Sequence, residues 1–181
     1  MSLIDKVVAA VTPEASESER VQARQRARGM AGSGWLARVI EHHEQIEQAF
    51  AEVRLAASAS QRRLAQKQLG EVLTGHSLAE EVVLYPAMAL NDQKGPSSTA
   101  YTQQSEAKVE AAALETLDPE SQDFLEKLEH LRAAVAHHIY EEESLWFPQL
   151  MSEADTAMKR RLTTRYEEEF QRYMGASALT T

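Results

Sequence analysis

No cysteine occurs in the 181 residues. Its absence excludes disulfides, zinc fingers and thiolate metal sites, so any metal must be held by histidine and carboxylate. That donor set suits iron, manganese or zinc. Glycine (7) and proline (5) are scarce. Ala, Leu, Glu, Gln and Arg dominate instead, so strong helix formers run through most of the chain and the class reads as all-α. No apolar run approaches the length of a membrane span. The opening "MSLIDKVVAAV" carries an acidic residue and no cleavage pattern, and does not read as a signal peptide. Basic charge is lacking too. A net charge of −9 provides little to neutralise phosphates or to meet an anionic membrane surface. Nucleic acid and membrane are therefore not expected partners, and the cytoplasm is the expected location. What the chain does have is a hydrophobic content of 43%, which suits one folded domain with its own core.

Breaks along the chain divide it into three parts. Residues 1–34 read as an N-terminal helical extension. It comprises a short amphipathic helix at 3–11 and a second helix capped by Thr12, with Pro13 at its first position, running to about Arg28. The glycines of "GMAGSG" (29–34) end it. Residues 35–150 read as four long helices, at about 35–57, 60–89, 98–117 and from an Asp118 cap with Pro119 to about Phe147. Short connections between them imply antiparallel neighbours, hence an up-down four-helix bundle. Residues 151–181 supply a last helix, about 152–174, stopping at Gly175 and packing on the bundle.

The chain repeats itself. "HSLAEEVVLYP" (76–86) returns as "HIYEEESLWFP" (138–148), at an offset of 62 residues. "EHHEQIEQAF" (41–50) aligns with "QSEAKVEAAA" (104–113) at an offset of 63, which sets His43 opposite Glu106. Residues four apart share a helix face. His76 with Glu80, and His138 with Glu142, can therefore all face the bundle interior, where facing helices build metal sites. A buried Glu is costly unless paired or bound to a cation. Two matched His/Glu pairs, completed by His43 and Glu106, make a six-residue candidate site for two divalent cations bridged by Glu80 and Glu142. A lone HxxxE is an ordinary surface pair; the duplication is what raises it above that. Glu81 and Glu143 stand about 140° from their histidines on a regular helix, and Glu143 is the first substitute for Glu142. His42, His130 and His137 read as surface or packing residues. Tyr85, Trp146 and Phe147 read as core, and "YEEEF" (166–170) as a solvated charge run.

The order H…HxxxE…HxxxE, with "EEVVLYP" and "EEESLWFP" after the paired motifs, resembles the hemerythrin-like, or HHE, domain over about residues 35–150. The resemblance implies a four-helix bundle holding two non-haem iron ions that bind or react with O2, peroxide or NO. The sequence departs from the family pattern at the third helix, where Ser105-Glu106-Ala107 stands in place of a histidine motif. A carboxylate there would favour the ferric state and make reversible O2 carriage harder than peroxide chemistry. Four functions compete at this level. They are a binding or sensing protein; an enzyme with catalase-, peroxidase- or ferroxidase-like activity; an iron-handling or nitrosative-stress repair protein; and a plain helical interaction protein. The extension could cap the bundle, gate the site, or build a homodimer through the flanking helices.

Overall fold

The computed structural model describes residues 15–178. The helix expected at 3–11 and the Thr12–Pro13 start lie outside that range. Helix α1, Glu17–Ala31, begins instead at Ser16, whose hydroxyl accepts from the Glu19 N–H while the Glu19 carboxylate accepts from the Ser16 N–H. This reciprocal pair satisfies two amides that a helix start leaves bare. Gly32, at φ +55°, turns the chain out of α1, a conformation that favours glycine.

Helix α2 is Trp35–Leu55. Helix α3 runs through 59–90, as α-helix over Ala59–Ala79, a π-helical turn over Glu80–Leu84, and α-helix again over Tyr85–Leu90. Helix α4 is Lys94–Glu115. Helix α5 repeats the pattern of α3, with α-helix over Gln122–Glu141, a π turn over Glu142–Trp146 and α-helix over Phe147–Glu153. Helix α6 is Thr156–Ala178. The fold class is all-α, as expected. Four boundaries differ from expectation. Helix α4 starts at Lys94 and not at about 98, taking Gly95 and Pro96 into its first turn. Helix α5 starts at a Ser121 cap because Asp118 to Ser121 close a turn of their own. It also continues past Phe147, and α6 runs through Gly175.

The continuation past Phe147 has a physical cause. Pro86 and Pro148 have no N–H for the carbonyl four residues back, and their rings crowd it. Widening the preceding turn removes the conflict, so the Tyr85 N–H bonds to the Glu80 carbonyl and the Phe147 N–H to the Glu142 carbonyl. Each helix absorbs its proline through a wide turn placed directly after its HxxxE motif.

Helices α2 to α5 form the bundle. Arg62 near the start of α3 donates to the Val53 carbonyl near the end of α2, which marks that pair as antiparallel. Helix α6 lies against α2 and α3, and α1 lies against α2 and α5, so the flanking helices cover both sides of α2. The apolar interior is in two parts. One gathers Trp35, Leu84, Phe147, Leu162 and Tyr166; the other gathers Ile46, Phe50, Leu69, Phe124 and Leu131. A layer of buried polar side chains lies between them. Among the described residues, no helix is long and apolar enough to cross a membrane.

Candidate metal centre

The polar layer is built from His43 on α2, His76 and Glu80 on α3, and His138 and Glu142 on α5. His43, Glu80 and Glu142 are wholly buried, and His138 is only 7% exposed. One donor atom from each of His43, His76, Glu80 and Glu142 lies within 4.8 Å of the others. His43 Nε2 is 3.2 Å from Glu142 Oε2 and 3.9 Å from Glu80 Oε1. His76 Nε2 is 3.2 Å from Glu80 Oε2, and His138 Nε2 is 3.2 Å from Glu142 Oε1. Both carboxylates thus use their two oxygens in two directions, which is the arrangement a pair of bridging ligands needs.

The outer nitrogens of the three histidines are all engaged. His43 Nδ1 donates to Glu143 Oε1 at 2.8 Å, and His138 Nδ1 donates to Gln103 Oε1 at 2.7 Å. His76 Nδ1 meets the Tyr166 hydroxyl at 3.1 Å, and that hydroxyl meets His42 Nδ1 at 2.9 Å. If His76 donates to Tyr166 and Tyr166 to His42, His76 Nε2 keeps its lone pair for the interior. Anchoring one ring nitrogen so that the other faces a metal is the usual outer support of a histidine ligand.

Three inward atoms, His43 Nε2, Glu80 Oε1 and Glu142 Oε2, are buried and make no well-aligned hydrogen bond, His43 Nε2 and Glu142 Oε2 meeting only as a 3.2 Å ion contact. Leaving buried polar atoms unpaired is expensive. Imidazole and carboxylate are also the donors that first-row divalent metals accept. A cation satisfies all three atoms at once, so the residues fit a metal centre.

Without a cation, the charges sort unevenly. Burial opposes charge on His43, but Glu142 and Glu143 outweigh it and push the imidazole up to about 10. Burial, reinforced by the positive His43, holds His76 well below its usual range. Burial and the charge of Glu142 raise Glu80, whereas His138 and His43 overcome burial at Glu142 and lower it. His42 is brought down to about 4 by burial and by His43, consistent with a neutral ring accepting from Tyr166.

Five of the six expected ligands are brought together. Glu106 is not among them; it is exposed on the outer side of α4. The inward face of α4 is instead marked by Ala100, Gln104 and Leu114, and Glu106 stands about 200° around the helix from Gln104. Aligning the repeats carried the register of α2 onto α4, but α4 is rotated relative to that register. Neutral amides, Gln103 and Gln104, face the layer where a third carboxylate was expected. The exposed Glu106 therefore supplies no third carboxylate to favour the ferric state.

Three further expectations change. Tyr85 packs in the core, yet its hydroxyl lies 3.2 Å from Glu80 Oε2, 2.9 Å from Glu142 Oε1 and 3.1 Å from His138 Nε2. The stretch at 166–170 is half core, because Tyr166 reaches His76 and Phe170 stacks on His42 at 3.8 Å. Gly75 makes this approach of α6 possible, since a Cβ there would meet Tyr173 at 3.1 Å. Glu143 is buried but turned away from the carboxylate pair. It bonds His43 and receives Arg24 Nε of α1 at 3.0 and 3.1 Å, while the same guanidinium grips Glu47. His130 is exposed and His137 partly so, as expected.

The model of the hemerythrin HHE cation binding domain matches residues 36–150, well over half of the chain. A curated DNA nickase of Nostoc sp. strain PCC 7120 is 24% identical over 125 residues, which cover 69% of this chain and 36% of that protein. The chain thus spans about a third of that relative's length. No solved structure matches it significantly.

Proposed function

From the premise that the chain belongs to the hemerythrin HHE cation-binding family, we propose that it is a non-haem di-iron protein that binds or reacts with O2, peroxide or NO. The observation that carries this reading is the convergence of His43 Nε2, Glu80 Oε1 and Glu142 Oε2, buried and without a well-aligned hydrogen bond, inside a ring of anchored histidines. Iron bound there supplies redox chemistry and open positions for a small ligand. The protein's part is to hold the histidines by their outer nitrogens, share two carboxylates, and exclude bulk water with the apolar clusters on either side. Manganese or zinc would meet the same donors. Strand nicking, the activity named for the Nostoc relative, is not carried over, because a net charge of −9 gives a phosphate backbone little to bind. The cytoplasm as location, and a homodimer through α1 and α6, stay part of the proposal.

The test is anaerobic Fe(II) loading, iron counted per chain, then air and an absorption spectrum. Two irons with ferric bands are expected, and His76→Ala and His138→Ala should each lower the count. No uptake, or uptake indifferent to both variants, overturns the reading. Steady O2 release from peroxide, lost in those variants, would make the protein an enzyme. A spectrum that reverses on removing O2 would make it a carrier.

A further inference from the structure

The group of four donors that share one place is His43, His76, Glu80 and Glu142; His138 is not in it. His138 Nε2 faces the other oxygen of Glu142, and with it stands the Tyr85 hydroxyl. That hydroxyl has four polar neighbours. They are Glu80 Oε2 at 3.2 Å, Glu142 Oε1 at 2.9 Å, His138 Nε2 at 3.1 Å and the Gln104 amide Nε2 at 2.6 Å. A phenol has a single proton to donate. The Gln104 amide donates to one of its lone pairs, and its single proton reaches only one of Glu80 Oε2, Glu142 Oε1 and His138 Nε2, so an acceptor is left facing the oxygen unpaired. Tyr85 is completely buried, so water does not relieve the conflict.

We propose that the Tyr85 oxygen is itself a metal ligand, completing the second cation position with His138 Nε2, Glu142 Oε1 and Glu80 Oε2. This rests on the di-iron reading above. Ligation breaks the phenolic O–H, releases the proton to solvent and forms an oxygen–metal bond, with no change of oxidation state. A cation there satisfies the acceptors that the one phenolic proton cannot, in a coordination sphere of oxygen and imidazole donors. The third helix, which brings only neutral amides to this layer, leaves room for such a ligand. The π turn is what delivers it. On a regular α-helix Tyr85 would stand about 140° from Glu80, whereas the wide turn returns it to the face Glu80 occupies. In the other half of the repeat the corresponding residue is Phe147, whose ring packs edge-on against Trp35 at 5.4 Å. The phenolic ligand therefore belongs to one side of the centre.

The experiment is iron loading and air oxidation of the full chain, comparing wild type, Tyr85→Phe and Tyr101→Phe. Tyr101 packs against Tyr85 at 5.1 Å but points its hydroxyl at the Glu81 carbonyl, and serves as the control. Wild type and Tyr101→Phe should show a visible phenolate-to-ferric charge-transfer band, with phenolate modes enhanced in resonance Raman. Tyr85→Phe should lose the band and modes, keep its helical circular dichroism, and keep the iron held by His43 and His76. Iron-loaded wild type without the band, or a band that survives in Tyr85→Phe, overturns the ligand while the di-iron reading stands. Wild type that takes up no iron removes both.

Discussion

Helices α3 and α5 deliver the same four-residue device. His76 and Glu80 on one, His138 and Glu142 on the other, are each followed by a π turn and a proline. Beyond that the halves part. After the turn, α3 carries Tyr85 with its hydroxyl among the buried His and Glu side chains, and α5 carries Phe147 in the apolar core. Beside the carboxylate, Glu81 pairs with the half-exposed Lys108, whereas Glu143 is buried between His43 and Arg24. The difference teaches that duplication supplies the ligands, while the neighbours of each copy decide what each ligand experiences. A second contrast follows from it. The matched family domain ends at 150, yet two of its histidines are anchored with help from outside it, His43 through Arg24 of α1 and His76 through Tyr166 of α6.

The strongest way to break the comparison is to remove what both halves share. Glu142→Ala deletes the carboxylate that faces both His43 and His138. It should cost more bound iron per chain than His138→Ala, which deletes one side only. Equal losses would show that Glu142 serves one position and does not bridge.

The unequal pair of neighbouring carboxylates sharpens the contrast. Glu143→Gln weakens the anchor of His43 and leaves Arg24 facing an amide; loss of such outer support lowers metal affinity roughly 10–100-fold. Glu81→Gln removes a partly exposed ion pair worth about 0–1 kcal/mol and should leave affinity almost unchanged. Chelator competition on both variants measures this, and similar affinities would mean that the burial of Glu143 is only structural.

A separate effect distinguishes the histidines by pH. Metal-free His43 keeps its proton up to about 10, whereas His76 is held neutral. Binding at His43 Nε2 must release that proton. Affinity for a divalent cation therefore rises with pH, by about tenfold per unit for one proton, and levels off above about 10. Glu80, raised by burial and Glu142, acts in the same direction. Proton release on adding Mn(II) at pH 7 to 9 checks the sign; no release would place the proton elsewhere.

Much of this centre could be read in one dimension. A period of four places His and Glu on one helix face wherever the helix is regular, and burial of a carboxylate demands a partner. Those two facts suffice for His76, Glu80, His138 and Glu142, and the alignment of the two halves added His43 together with Glu106. The errors share one origin, the assumption of a constant 100° per residue and a constant register between repeats. Glu106 failed because α4 is rotated relative to α2. Tyr85 was read as plain core because a π turn, forced by Pro86, adds a residue to the turn after Glu80. Tyr166 and Arg24 had no local signal. A tyrosine inside a charge run and an arginine on an extension look the same whether they meet solvent or a buried histidine.

Composition and periodicity by themselves thus determined an all-α bundle with a candidate histidine and carboxylate metal site, because helix propensity and the four-residue repeat are local properties of the chain. The rotation of α4, the widened turns and the reach of α1 and α6 into the polar layer were settled in three dimensions. Each depends on which surfaces pack together, and packing joins residues more than a hundred positions apart, as it does Arg24 to Glu143.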